Sequence, residues 1–134
     1  MRLIPILGLF FFLKSVYKYQ SYRAMLIISN GILLHGLKTP RKKNQIYSKT
    51  IQLIRIYDLI CNILMIIYTI YSYPITIVYA TTSSLLYFIE LYIEYTDKFN
   101  ENITDLIHIF GVHYPLSIGL YKANVHIQNT ALLQ

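Results

Sequence analysis

Apolar residues run along this chain in blocks separated by short polar stretches. Five blocks can be marked: about 3–17, opening "LIPILGLFFFL"; about 22–37, containing "AMLIISNGILLHGL"; and then 51–73, 74–92 and 103–121. A helix crossing the hydrocarbon of a bilayer needs about 20 residues, within a range of about 17–25. The last three blocks reach that length. The first two reach it only by including Lys14, Lys18 or Arg23, whose long stems can carry the charge out to the interface. Only helices satisfy their own backbone hydrogen bonds in such apolar surroundings. The pattern therefore predicts an all-α fold, a polytopic transmembrane bundle of four to five helices forming one domain over residues 1–134, with a polar tail at 122–134.

Composition points the same way. Hydrophobic residues make up 55% of the chain and charged residues 13%, and mean hydropathy is +0.45, whereas soluble domains carry about 25% charged residues. A globule of 134 residues could not shelter that much apolar surface. The single cysteine, Cys61, excludes a disulfide framework and reads as a buried packing residue. Trp is absent, but 14 tyrosines can serve as interfacial anchors. Arg2 and the apolar run behind it invite comparison with a cleaved signal, yet the bulky, basic "KSVYKYQSY" that follows offers no small-residue cleavage site.

Charge placement orients the bundle. The 38–50 stretch, "KTPRKKNQIYSKT", holds Lys38, Arg41, Lys42, Lys43 and Lys49 and no acid. Lying between apolar blocks, it reads as a cytoplasmic loop under the positive-inside rule rather than as a nucleic-acid patch. Alternation then puts the N-terminus inside, the turn at 72–74 outside and the acidic 93–102 loop inside. Lys14, Lys18 and Arg23 resist this order, because they fall on the outer side. The sequon Asn102-Ile103-Thr104 would face the cytosol and stay unused.

Ionisable groups at membrane depth are expensive and count as functional candidates. On this alternation His35, Asp58, Asp105, His108 and His113 all fall toward the cytoplasmic ends of their helices, and Asn62 shares a face with Asp58. Imidazoles with a carboxylate can hold zinc and leave a position for water, which the metal acidifies; a nearby carboxylate can act as base. One spacing is unfavourable. His108 and His113, five residues apart, stand about 140° from one another on a regular helix, although Pro115 disturbs the backbone ladder close by.

The motifs "SNGILLHG", "RIYDLICN" and "HIFGVH" resemble those of the membrane superfamily that includes alkaline ceramidases, adiponectin and progestin receptors and haemolysin III-type proteins. That resemblance covers about residues 24–121 and implies a zinc site held by His35, His108 and His113, with Ser29 and Asp58 assisting hydrolysis of a lipid amide. The family has seven helices and four-residue steps in both its Ser–His and His–His motifs. This chain has two helices fewer, a six-residue step from Ser29 to His35, and a five-residue step from His108 to His113.

Two function classes follow. One is a reduced, ceramidase-like metal-dependent hydrolase working on membrane lipids. The other is a non-catalytic scaffold, or a small subunit of a larger membrane assembly, whose polar residues pair helices. A phosphate-binding loop, a dinucleotide fingerprint, a Cys-x-x-Cys pair and a Gly-x-Ser-x-Gly elbow are all missing from the sequence. Soluble nucleotide or redox chemistry has no support.

Overall fold

A computed structural model of the chain describes residues 3–37, 49–96 and 101–133. Among the described residues every element is helical. The first rod joins α1 (Leu3–Gly8), a tight 3-10 turn over Leu9–Phe12 and α2 (Leu13–Tyr19). Gln20 ends it in the left-handed conformation, φ 48°, with its N–H bonded to Val16 O. The second rod is α3 (Tyr22–Leu37) and the third is α4 (Lys49–Ser72). Extended Tyr73 and a 3-10 turn over Pro74–Thr76 lead into α5 (Ile77–Thr96). Proline suits this start because the first N–H of a helix has no partner to lose. The last rod runs from α6 (Glu101–Ile107) through a π-helical stretch, His108–His113, into α7 (Tyr114–Ala131).

Leu9, Phe12, Ala24, Ile27, Met65, Leu116 and Leu120 form the central apolar cluster. The outward surface is greasier than this interior. Leu53, Ile56, Ile60, Leu64 and Ile67 on α4 and Val78, Leu85 and Phe88 on α5 are exposed, whereas Asn30, His35, Thr69, Ser83, Glu90 and His113 are buried. Water would penalise such an arrangement, and soluble monomers rarely expose large contiguous apolar patches; hydrocarbon suits it. Two helices, Lys49–Ser72 and Pro74–Glu94, are long and apolar enough to cross a membrane.

Two expected boundaries shift. The supposed polar tail at 122–134 is instead the continuation of α7, helical to Ala131. "KANVHIQNTA" contains neither Gly nor Pro to stop it. α5 likewise continues through 93–96. The basic 38–50 loop, apart from Lys49 and Thr50 at the start of α4, and residues 97–100 of the acidic 93–102 loop lie outside the described residues.

Candidate metal centre

The last rod meets α5 along one helical stripe. Ser83, Leu86 and Glu90, at spacings of three and four, lie on one face of α5. Ser83 Oγ donates to the carbonyl of Val112 at 3.1 Å. A Cβ added to Gly111 would stand 2.9 Å from Leu86 Cβ, so glycine is what allows the two backbones this close. Beyond them, Glu90 Oε2 lies 2.7 Å from His108 Nδ1. All three contacts fall on or beside the π-helical stretch.

That stretch resolves the awkward spacing of the histidines. A π-helix bonds residue i to residue i+5 and often marks a functional site; its wider turn lays residues five apart over each other. Pro115 lacks an N–H, which removes a bond of the regular ladder nearby, and Ser83 supplies one carbonyl in the loosened region with a donor. His108 and His113 therefore face the same side, their ring centroids 4.5 Å apart. The 140° separation expected of a regular helix is overturned for this reason.

His35, in the last turn of α3, completes the set. Its ring centroid lies 5.2 Å from that of His108 and 6.1 Å from that of His113. One ligand nitrogen from each of the three lies within 4.8 Å of the others. Ligands of one tetrahedral zinc stand about 3.4 Å apart, so small ring rotations would bring the set to coordination. Two further observations suit a metal. His113 Nε2 is buried and has no hydrogen-bond partner. As a carboxylate, Glu90 would accept a hydrogen bond from His108 Nδ1–H across their 2.7 Å contact and so leave the Nε2 lone pair as the metal donor, and carboxylate–histidine pairs of this kind orient metal ligands. The first rod closes the back of the site. Gly8 would bring a Cβ to 3.0 Å from His113 Cδ2, and Phe12 meets the His113 ring edge-on at 6.0 Å.

Asp58 stands on the His108 side, within electrostatic reach of that ring, but it is not one of the three converging groups. Its Oδ2 accepts from Asn62 Nδ2 at 3.1 Å. Arg55, three residues before Asp58 on the same helix, reaches Glu94 at 3.8 Å. Ser29 is not brought to the cluster. Its hydroxyl is exposed and donates to Met25 O at 2.9 Å in its own helix. Six residues before His35 is about 9 Å along a helix and about 120° around it. Four residues before His35 the chain has Gly31, against which Leu9 packs so closely that a Cβ would stand 2.6 Å from Leu9 Cδ2. Asp105 is buried one turn before His108.

Glu90 is not among the candidates that the sequence motifs supply: it borders the acidic 93–102 stretch, yet "LLYFIELYI" places it inside an apolar block. An intramembrane carboxylate was the signal available.

No known protein family, curated protein or solved structure matches this chain.

Proposed function

We propose that this chain is a small multi-pass membrane protein with a three-histidine metal centre, acting as a zinc-dependent hydrolase of a lipid amide or ester. The supporting observation is the convergence of His35, His108 and His113, drawn from α3 and the last rod, with Glu90 of α5 bound to His108. The sequence resemblance to the ceramidase-containing superfamily supports the same reading for His35, Asp58, His108 and His113; Ser29, which it also implies, stands exposed and bonded within its own helix. In this reading the 38–50 loop and the N-terminus face the cytoplasm, and the partners are membrane lipids rather than nucleic acid.

Zinc in such a set supplies a Lewis acid that polarises a carbonyl and acidifies water. The protein's own groups would do the rest. Glu90 holds the proton on His108 Nδ1 and so fixes which nitrogen is offered. Asn62 occupies Oδ2 of Asp58, and the remaining carboxylate oxygen can take a proton from water on the His108 side. His108 is the least buried of the three rings, its side chain 14% exposed, so water and substrate would approach there.

One observation favours a second reading. His35 and His113 are only 5% and 6% exposed, and enclosed sites are typical of structural metals. The metal would then staple α3 to the last rod in a non-catalytic scaffold or small subunit of a larger assembly. Purified protein in neutral detergent tests both readings. Metal analysis should find one zinc per chain, and fluorescent ceramide and ester substrates should be cleaved unless zinc is chelated. Stoichiometric metal without cleavage selects the metal-stapled scaffold; absence of metal ends the hydrolase and the metal staple and leaves a scaffold whose polar residues pair helices.

A further inference from the structure

The opposite end of the bundle carries a second constellation, independent of the histidines. Tyr73 lies fifteen residues beyond Asp58, about 22 Å along a helix. There Lys18 and Tyr19 of α2, Tyr73, and Tyr121, Lys122 and His126 of α7 surround an open cleft of about 500 Å³. Lys18 Nζ lies 3.5 Å from the Tyr121 hydroxyl, and Lys14 Nζ lies 4.4 Å above the Tyr121 ring. Tyr19 meets Tyr121 edge-on at 5.4 Å. Tyr73 and His126 stack with centroids 4.5 Å apart and planes 18° from parallel, forming a flat wall. Gln128 and Asn129 add amides to the rim.

The charge at this end is one-sided. The carboxylates whose side chains are described, Asp58, Glu90, Glu94 and Asp105, all belong to the histidine end of the bundle. At the cleft, cations meet aromatic faces instead: Lys18 lies 5.5 Å above the Tyr19 ring and Lys122 lies 5.0 Å above the Tyr79 ring. A ring quadrupole attracts an ammonium but does not cancel its charge. Hydrogen bonding to Tyr19 and Tyr121 raises the pKa of Lys18, and bonding to Tyr79 raises that of Lys122, so both stay protonated at neutral pH. Among the described residues, the result is a cluster of positive charge with no carboxylate beside it and with phenol and amide groups around it. Lysine serves phosphate as a point charge, and hydroxyls and amides can donate to the remaining oxygens.

We infer that the cleft between α2 and α7 binds a phosphate group, presented by an anionic lipid headgroup or as a free anion. The basic residues that resist the positive-inside order, Lys14 and Lys18, are then retained as part of a binding site.

The test uses the full chain in neutral detergent, with native mass spectrometry to read bound lipid after incubation with phosphatidic acid or phosphatidylcholine, with and without inorganic phosphate. Phosphatidic acid should be retained in preference to phosphatidylcholine. The double variant Lys18→Gln/Lys122→Gln should lose that preference, by on the order of tenfold in affinity, while Lys18→Arg/Lys122→Arg should keep it. Competition by millimolar inorganic phosphate identifies a free anion as a ligand; retention of phosphatidic acid despite it identifies the headgroup. The inference is overturned if both lipids are held equally and inorganic phosphate has no effect, or if the glutamine variant matches the unmodified protein. Far-UV circular dichroism and a monodisperse elution profile in detergent report whether each variant is folded.

Discussion

Glu90 and His108, 18 residues apart in sequence, join α5 to the last rod through a 2.7 Å contact between Oε2 and Nδ1. Both side chains are largely withdrawn from the surface, at 7% and 14% exposure. A carboxylate that holds one imidazole nitrogen commits the other to a different partner. Replacing Glu90 by Gln should therefore weaken zinc binding by about 10–100-fold, the range for residues that orient a metal ligand. Competition titration against a chromogenic chelator measures this, and unchanged affinity would remove Glu90 from the site.

Each histidine contributes one donor, so His35→Ala, His108→Ala and His113→Ala should each abolish stoichiometric zinc. Cobalt substituted into the unmodified protein should give the intense visible absorption of a tetrahedral centre, and each variant should lose it. A variant that keeps the full spectrum would show that its histidine is not a ligand.

The π-helical stretch makes a prediction that composition alone would not. Deleting Phe110, whose side chain is 60% exposed, leaves His108 and His113 four apart, a spacing that an ordinary α-helix places on one face. Metal binding should survive. Inserting one alanine after Ile109 makes the spacing six and should eliminate binding. The same cobalt spectrum decides, and the reverse pattern would contradict the π-helical arrangement.

In the hydrolase reading, Asp58 is the residue that separates hydrolysis from metal binding. Asp58→Asn should retain zinc and lose turnover by about 100-fold or more, the typical contribution of a positioned general base. Equal turnover would remove Asp58 from the chemistry, and loss of zinc together with loss of folding would make its role structural.

Gly111 holds α5 against the last rod. Gly111→Ala would place a methyl 2.9 Å from Leu86 Cβ, and overpacking of this kind costs about 1–3 kcal/mol. The expected result is a lower Tm together with weaker zinc binding, because Glu90 sits one turn along the same face. Gly36 has nothing within 4 Å of its added Cβ, and Gly36→Ala should leave both properties intact.

Much of the bundle was legible in the chain itself. Block length and the lack of charge dictated helices, and Pro74 and the Tyr73 turn marked a break that the sequence shows plainly. Chain order and helix alternation were enough to bring His35, Asp58, His108 and His113 to one end. The end of α7 was not legible, because "KANVHIQNTA" is polar enough to resemble a tail and helical enough to continue. Ser29 was offered by a motif with the wrong step, and helical geometry turns it away from His35.

The sequence by itself determined a helical chain with its polar groups at matching levels, because periodicity and the cost of unpaired backbone in apolar surroundings act locally. Tertiary structure decided which of those groups touch. A five-residue histidine spacing became usable only when α5 packed close enough through Gly111 for Ser83 to bond Val112 O beside the widened turn. Glu90 found His108 across that same interface. Such contacts depend on the relative rotation and separation of two helices, which no single stretch of either one specifies.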